Sequence, residues 1–191
     1  MTTTEQKHPA QARSREELAA LMAAGAQPKW LMFWGHQPQQ DGSIGAGSLS
    51  QWWPSPFTVD GVEYVTAEHW MMAGKARLFG DEASVPSILA AATPAEAKNL
   101  GRLVRGFDDE SWRAARFELV VAGNVAKFGQ DPALRGYLLG TANRVLVEAS
   151  PRDQVWGIGL GAANDRATDP SRWRGLNLLG FALMEARARL Q

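Results

Sequence analysis

The amino-acid sequence predicts an α+β fold: a mainly helical single domain with a small, mostly antiparallel sheet. The chain has 191 residues, about one domain, since domains usually contain ~100–200 residues. Helix patterns outnumber strand patterns, and the strands do not alternate regularly with helices as they do in a parallel α/β sheet. The Asp60-Gly61 pair between residues 57–59 and 62–64 predicts an antiparallel hairpin, because this dipeptide suits the positive φ angles of a type I′ turn.

The N-terminal part is predicted to form two pieces that precede the domain. Residues 1–13 are polar and are predicted to form a disordered tail. Residues 14–29 are predicted to form a short helix and a linker, because Ser14 and Glu17 have the spacing of a capping box. The domain is then predicted to span residues 30–191.

Short runs of branched and aromatic residues predict the strands. Besides the hairpin, strands are predicted at residues 30–34 and 144–149, with residues 155–158 as a candidate partner strand. The polar, glycine-rich segment 35–50 is predicted to be a long loop. Loops of this length inside a compact domain are usually functional or mobile.

Helix starts are predicted from residues that cap the first turn. Thr66, Thr93 and Asp108 each precede a helical pattern, and Pro94 and Glu96 add a first-turn proline and a capping-box partner to the second of these. The predicted helices are residues 67–79, 81–91, 94–104, 109–128, 132–139 and 176–190.

Composition and charge exclude several classes of protein. The 20 Lys and Arg residues balance 20 Asp and Glu residues, so the chain lacks the basic excess of a sequence-independent DNA coat protein. It has no cysteine, which excludes disulfides, thiolate nucleophiles, Cys-ligated zinc and iron–sulfur clusters. The histidines, His8, His36 and His69, have no metal-ligand spacing, so neither a metal nor a cofactor is predicted.

The sequence also lacks recognisable membrane and export signals. No stretch approaches the ~20 apolar residues of a membrane span, and the polar N-terminus has no apolar core of a signal peptide. We therefore expect a cytoplasmic protein without a membrane partner.

A helix with an apolar middle contains two candidate catalytic residues, Glu68 and Lys75. They are seven residues apart in the sequence, or two helical turns, so they share a face with Cα atoms ~10 Å apart. That distance is too long for a helix salt bridge and suits two groups on either side of one small ligand. A simpler interpretation stays open for Glu68, because the helix dipole also favours a carboxylate in the first turn.

A second candidate region follows the strand predicted at residues 144–149. Glu148 ends this strand and Asp153 lies in the turn behind it, where carboxylates often face a cleft. Gly157 and Gly159 allow a ligand close to the backbone, and N–H groups in this loop could hold phosphate. A tight turn would explain the same glycines. The dinucleotide-binding fingerprint is not matched, because no strand–glycine–helix unit surrounds them.

Cationic and aromatic residues supply further candidate ligands. Arg174 and two arginines before it could clamp a phosphate, since Arg binds phosphate in a bidentate manner; a solvated loop would contain them equally well. Lys98, Arg102 and Arg105 have helical spacing and are interpreted as a solvated stripe. The eight tryptophans against two tyrosines suit stacking on a flat ligand, although large core residues are the simpler interpretation.

A series of short segments between residues 30 and 190 is specific when the segments are taken together and in order. The segments are Phe33-Trp34, Leu49-Ser-Gln-Trp52, Pro56-Phe57, Val59-Asp-Gly61 with Tyr64, Thr66-Ala-Glu68-His69-Trp70 through Lys75, Ala97-Lys98-x-x-Gly101-Arg102, Lys127-Phe128, Val147-Glu148-Ala-Ser150, Asp153-x-x-Trp156-Gly157-x-Gly159 and Gly175-Leu-Asn177-Leu-Leu-Gly180. Together they resemble the NADAR, or YbiA-like, family. Residues 1–29 lie outside the resemblance.

The resemblance implies N-glycosidase chemistry. Members similar to this chain hydrolyse the ribosyl N-glycosidic bond of early riboflavin-pathway intermediates and release ribose 5-phosphate, and others remove ADP-ribose from guanine bases. By this resemblance Glu68, Lys75 and Asp153 are predicted to be catalytic. Substrate contacts are predicted for a larger set drawn mainly from the same segments: Trp34, Trp52, His69, Glu148, Trp156, Gly157, Gly159, Arg174 and Asn177.

Two functions of different classes follow from these observations. The first is a metal-independent N-glycosidase that acts on phosphoribosylamino-pyrimidines, with ADP-ribosylated guanine in nucleic acid as the alternative substrate. The second is a non-catalytic module that binds NAD or ADP-ribose. The presence of both Glu68 and Lys75 favours the enzyme, because binding alone needs no lysine beside a carboxylate. The expected partner is a small phosphoribosyl or ADP-ribosyl molecule, and we expect Asp153 and Trp156 to line the same pocket as Glu68.

Overall fold

Seven α-helices and four short strands form the part of the chain that the computed structural model describes, residues 7–191. The α+β class is therefore confirmed. In chain order the elements are α1 (Arg15–Ala23), β1 (Trp30–Phe33), β2 (Phe57–Val59), β3 (Val62–Tyr64), α2 (Ala67–Leu78), α3 (Val85–Leu89), α4 (Pro94–Arg102), α5 (Asp109–Gln130), α6 (Pro132–Gly140), β4 (Val145–Glu148) and α7 (Leu178–Arg189).

The chain divides into two compact units, which are described separately below. The central unit consists of residues 35–138 with Leu190, and the terminal unit consists of the chain up to residue 34 with residues 139–189 and 191. The single domain predicted for residues 30–191 includes residues of both units, and its bounds stay a prediction.

The terminal unit is built around a parallel pair of strands. β1 pairs with β4 in a register that places Trp30 opposite Val145 and Phe33 opposite Glu148. The first three residues of β4 are completely buried, as expected for a strand covered on both faces. α7 packs on β4, and Gly180 allows this close approach, because a Cβ atom there would overlap the carbonyl oxygen of Leu146.

Two details of the terminal unit differ from the sequence predictions. Residues 7–191 contain one parallel and one antiparallel strand pair instead of a single, mostly antiparallel sheet. The candidate strand at residues 155–158 is wrong, because residues 155–157 are bends and Ile158 makes only one backbone hydrogen bond to β4, from its N–H to the carbonyl oxygen of Glu148. The carbonyl oxygens of Val155 and Trp156 instead accept the N–H groups of Leu178 and Leu179 at the start of α7, where a helix has no partners of its own.

The start of the chain is more ordered than the predicted tail of residues 1–13. Residues 1–6 of that tail lie outside the described residues. Pro9–Gln11 form a 3-10 helix, in which the side chains of His8 and Gln11 make a reciprocal capping box. Burial of Pro9 and Ala12 explains the difference, because polar composition alone did not reveal these two apolar anchors.

The central unit begins with the predicted loop and hairpin. The loop contains one 3-10 helix, Ala46–Leu49. β2 and β3 are antiparallel, with Phe57 opposite Tyr64. The hairpin is confirmed together with its turn, since Asp60 and Gly61 have φ angles of 50° and 76°.

α2 is the centre of this unit and packs against α3, α4 and α5. It starts at the predicted cap, where the hydroxyl oxygen of Thr66 accepts the N–H of His69. Gly101 on α4 and Gly123 on α5 face α2, and a Cβ atom at either position would overlap Met72 or Trp70 respectively. Glycine at these two positions therefore allows both neighbouring helices to approach α2 closely.

Within residues 7–191, the structure contains no helix with the length and apolar character needed to cross a membrane.

Candidate active site

Glu68 is a buried carboxylate in the first turn of α2, with an exposed fraction of 2%. Its Oε2 atom accepts a hydrogen bond from the indole Nε1 of Trp52 at 3.2 Å. Its backbone N–H donates to the carbonyl oxygen of Gln51 at 3.1 Å. Stabilisation by the helix dipole does not require a first-turn acid to be buried. Burial against an indole donor therefore favours a functional role for Glu68, since burying a carboxylate is costly.

Trp52 lies close to two residues that were not predicted from the sequence to be part of the site. The His36 ring has its centroid 5.8 Å from that of Trp52, and the Lys98 ammonium lies 6.0 Å from the Trp52 ring. Lys98 is half-buried, whereas Arg102 is exposed. Interpretation of Lys98 as part of a solvated stripe is therefore incomplete, because the packing of α4 on α2 brings it to the aromatic ring that contacts Glu68.

Lys75 lies near the other end of α2, where the end of α4 and aromatic side chains surround its amine. Its Nζ atom donates to the carbonyl oxygen of Gly101 at 2.8 Å and lies 4.3 Å from the Phe107 ring centroid. Burial lowers the pKa of this amine below the usual lysine value. The structure thus places Glu68 and Lys75 on one helix with different partners, and a ligand shared between them stays a prediction.

His69 is fully buried and has both ring nitrogens close to protein atoms. Nδ1 lies 2.8 Å from the hydroxyl of Thr66, and Nε2 lies 3.1 Å from the carbonyl oxygen of Ala91. Because Nε2 faces a carbonyl, it has to carry the proton of that bond. These bonds give His69 a structural role between α2 and the end of α3. A substrate contact stays a prediction.

Trp34 and Glu148 lie at the same end of the parallel strand pair. Trp34 follows β1 and is 62% exposed, while Glu148 ends β4 directly opposite Phe33. The N–H of Ala149 donates to the carbonyl oxygen of Phe33 at 2.8 Å, which extends the pairing to this edge. Ligands of α/β sheets bind outside the carboxyl ends of strands, so the location of both residues is consistent with the predicted contacts.

Asp153 shapes the turn that follows β4. Its Oδ1 atom accepts the N–H groups of Val155 and Trp156, each at 2.8 Å. Such a turn orients the following tryptophan, which is half-buried. The geometry therefore gives Asp153 a positioning role in this loop, and its predicted catalytic role stays untested.

The glycines of this loop serve the packing of the loop on itself. A Cβ atom at Gly157 would lie 2.9 Å from the carbonyl oxygen of Glu148. Gly159 has a φ angle of 68°, and its N–H donates to the carbonyl oxygen of Asp153 at 3.0 Å. The simpler interpretation as a tight turn thus explains Gly159, and phosphate binding by these glycines stays a prediction.

Asn177 and Arg174 have different environments in the same unit. Asn177 is fully buried, with its Oδ1 accepting the N–H of Glu148 and its Nδ2 donating to the carbonyl oxygen of Leu146. The Asn177 side-chain amide therefore makes two hydrogen bonds with the backbone of β4 that a neighbouring strand would otherwise make. Arg174 is exposed, which is consistent with the predicted phosphate contact without testing it.

α5 contributes two buried polar residues that the sequence did not single out as site residues. Lys127 is 1% exposed, and its Nζ atom donates to the carbonyl oxygens of Ser48 and Ser50 at 2.7 and 2.8 Å. Asn124 accepts a bond from the side chain of Gln51 at 3.1 Å. In the sequence, Lys127 was marked only by the Lys127-Phe128 segment of the family resemblance. That segment did not predict a contact with the residues before Trp52.

The sequence-predicted residues belong to both units. Trp52, Glu68, His69 and Lys75 are in the central unit. The terminal unit contains the rest: Trp34, Glu148, Asp153, Trp156, Gly157, Gly159, Arg174 and Asn177. The expectation that Asp153 and Trp156 line the pocket of Glu68 joins residues of the two units and stays a prediction.

Comparison with known proteins tests the resemblance. The family model of the NADAR domain matches residues 32–191. The chain belongs to the NADAR family. Among curated relatives of this NADAR chain, N-glycosidase R617 of Acanthamoeba polyphaga mimivirus is 41% identical over 168 residues, which are 85% of this chain and 97% of the relative.

A bacterial relative and its structure agree with this assignment. N-glycosidase YbiA of Escherichia coli is 32% identical over 144 residues, covering 75% of the NADAR chain and 81% of the relative. The NMR structure of the E. coli protein YbiA is similar with a TM-score of 0.67 and 30% identity, covering 86% of each chain. The NADAR chain therefore shares the fold of YbiA.

Proposed function

We propose that this NADAR protein is an N-glycosidase that hydrolyses the ribosyl N-glycosidic bond of phosphoribosylamino-pyrimidines, early intermediates of riboflavin biosynthesis, and releases ribose 5-phosphate. Two relatives of this chain are named N-glycosidase. The observation that carries the proposal for this chain is the burial of the Glu68 carboxylate against the indole N–H of Trp52.

Cleavage of the ribosyl C1–N bond is favoured by a buried, oriented carboxylate such as that of Glu68. Breaking the C1–N bond of the ribose leaves positive charge on C1 and on the ring oxygen in the transition state, as in other glycoside hydrolyses. A carboxylate fixed in poorly solvated surroundings stabilises that charge more strongly than water does. Glu68 then accepts a proton from the attacking water, whose oxygen bonds to C1. The departing nitrogen keeps the electrons of the broken C1–N bond and takes up a proton, returned by Glu68 or supplied by solvent, to leave as the free amine.

The neighbours of Trp52 support a phosphorylated, flat substrate. An indole ring offers a face on which a pyrimidine stacks. Lys98 lies 6.0 Å from this ring, so its ammonium can supply the charge that a ribose phosphate needs. We infer that Lys98 contacts the phosphate, a role that was predicted from the sequence for Arg174 and the glycine loop.

Lys75 offers a second route to the same products. An exocyclic amine glycoside opens to an imine at C1, and an unprotonated lysine can displace the base amine there to form a Schiff base. Water then hydrolyses the Schiff base and releases ribose 5-phosphate. Burial of Lys75, which lowers its pKa, supports this route because a lower pKa raises the fraction of the amine that is unprotonated.

No step of either route uses a metal ion. The chain has no cysteine and three histidines, and among the described residues no three His, Asp or Glu side chains are grouped as metal ligands would be. We therefore expect turnover to survive EDTA. Loss of activity in EDTA with recovery on addition of a divalent ion would contradict the metal-independent mechanism.

One experiment separates the substrate classes. The wild-type protein is incubated with a phosphoribosylamino-pyrimidine and, in parallel, with an oligonucleotide that carries ADP-ribosylated guanine. We expect release of ribose 5-phosphate from the first and no ADP-ribose from the second. Release of ADP-ribose alone would show that the protein acts on the alternative substrate, ADP-ribosylated guanine. Binding of ADP-ribose without turnover of either compound would make it a binding module.

A further inference from the structure

The polar face of α5 holds the segment of residues 48–52 at two points that are about one helical turn apart. At the first point, the amine of Lys127 donates to the carbonyl oxygens of Ser48 and Ser50. At the second, the side-chain oxygen of Asn124 accepts a hydrogen bond from Gln51. The segment is therefore fixed to α5 at three of the four residues that precede Trp52.

The second contact has a defined direction. The Nδ2 of Asn124 donates to the carbonyl oxygen of Val120 at 2.8 Å, so its Oδ1 is the atom that faces Gln51. Gln51 therefore has to donate through its Nε2, since two amide oxygens cannot share a hydrogen bond. The backbone carbonyl of Gln51 in turn accepts the N–H of Glu68. One chain of directed bonds thus connects α5 with the start of α2.

Burial of the Lys127 amine makes the free energy of folding less favourable. The side chain is 1% exposed, and in residues 7–191 no carboxylate forms an ion pair with it. Burial lowers the pKa of the amine to about 7. A methionine would fill a similar volume without the cost of burying a polar group. What the amine adds is the pair of bonds to the two serine carbonyls.

We propose that Lys127 is a positioning residue that, by fixing the backbone at Ser48 and Ser50, sets the indole N–H of Trp52 against the Glu68 carboxylate. Its effect on turnover rests on the proposed function, whereas its effect on the Trp52–Glu68 bond does not. Small displacements of a catalytic group change the rate strongly. We therefore expect Lys127→Met to lower kcat about 10-fold to 100-fold with KM within about threefold.

The decisive readout is the indole ¹H–¹⁵N resonance of Trp52, assigned by its loss in Trp52→Phe. In Lys127→Met we expect this resonance to move toward its position in Glu68→Gln, while those of Trp70 and Trp112 stay in place. Lys29→Met, at an exposed position, is the matched control and should leave the Trp52 resonance unchanged. An unmoved Trp52 resonance in Lys127→Met would overturn the proposal, even if activity fell.

Chemical rescue covers the case in which Lys127→Met does not fold. Since the chain has no cysteine, Lys127→Cys can be alkylated at one site in the unfolded state and refolded. Aminoethylation restores an amine of nearly the original length, and S-propylation restores only the volume. We expect the aminoethylated protein alone to recover the wild-type Trp52 resonance. Equal recovery with both reagents, or with neither, would show that Lys127 does not act through its two hydrogen bonds.

If the glycosidase assay fails while the Trp52 resonance responds as expected, the positioning role stands and the proposed function falls. If turnover is observed and the resonance does not respond, the positioning role falls alone.

Discussion

The indole N–H of Trp52 and the Oε2 of Glu68 are 3.2 Å apart and join the segment before the hairpin to the first turn of α2. This bond orients the carboxylate and keeps one of its oxygens occupied. Because the bond partner is an aromatic side chain, the same residue that fixes the carboxylate also offers a stacking surface beside it.

Glu68→Gln keeps the shape of the side chain and removes its charge. We expect kcat to fall by about 10²–10³, the scale of one lost electrostatic contact with developing charge. KM should change little, because the ground state is not cationic at C1. The matched control is Glu63→Gln, at an exposed position on the neighbouring strand β3. Near-normal turnover of Glu68→Gln would remove the carboxylate from the mechanism.

Lys75 separates the hydrolytic route from the Schiff-base route. If the amine attacks C1, Lys75→Arg is inactive, because guanidinium stays protonated and is not a nucleophile. Borohydride should then trap a ribose adduct on the wild type, located by mass spectrometry on the peptide that contains residue 75. Because burial lowers the pKa of Lys75, the rising limb of the rate against pH should lie below the usual lysine range. Partial activity of Lys75→Arg without an adduct would leave Lys75 a positioning role.

Lys98→Gln tests the proposed phosphate contact. Loss of one charge-assisted hydrogen bond should raise KM about 10-fold or more for the phosphorylated substrate. The dephosphorylated nucleoside should be processed equally by wild type and variant. Arg102→Gln is the control, since Arg102 lies one turn further along α4 and is exposed. Equal losses on both substrates would show that Lys98 does not recognise phosphate.

We expect the Asp81 carboxylate to make a pH-dependent contribution to folding stability, which is separate from the candidate active site. Its carboxylate accepts bonds from the Arg105 side chain at 2.6 Å, the Arg105 N–H at 3.0 Å and Ser84 at 2.7 Å. The Arg105 side chain, followed by the backbone bond and Ser84, holds the pKa of Asp81 well below its usual range.

A carboxylate with a lowered pKa in the folded state stabilises the fold above its unfolded pKa of ~3.9. That stability is lost as the pH falls toward the folded-state pKa. Asp81→Asn should therefore lower Tm at pH 7, and the difference from the wild type should shrink as the pH falls below ~4. Asp109→Asn, which removes the surface pair with Arg113, should have little effect at either pH. A Tm difference that grows on acidification would contradict this assignment.

Local rules explain what the sequence predicted correctly. The caps at Thr66, Thr93 and Asp108 all accept a hydrogen bond from the first turn of their helix, because capping depends on residues within four positions of one another. The Asp60-Gly61 turn depends on two adjacent residues in the same way.

Tertiary packing explains what the sequence did not predict. The pairing of Phe33 with Glu148 joins residues that are far apart in the chain, and no local pattern specifies whether such strands are parallel. The contacts of Lys98 and Lys127 were not predicted either, because helical periodicity shows which residues share a face without showing what that face contacts. The partners of both lysines come from the segment of residues 48–52, which the sequence identified only as loop and family motif.

The absence of a side chain at Gly101 controls more than the fit of two helices. The carbonyl of that glycine accepts the Lys75 amine, and Lys98 lies on the same helix three residues earlier. An added Cβ atom at residue 101 would crowd the Met72 side chain, and any shift of α4 that relieved this overlap would move Lys98 and the carbonyl partner of Lys75 relative to α2. The distance between the axes of α2 and α4 therefore helps to determine where charged groups lie in the candidate site. Selection or design could retune charge placement around a ligand there without replacing any residue that touches it.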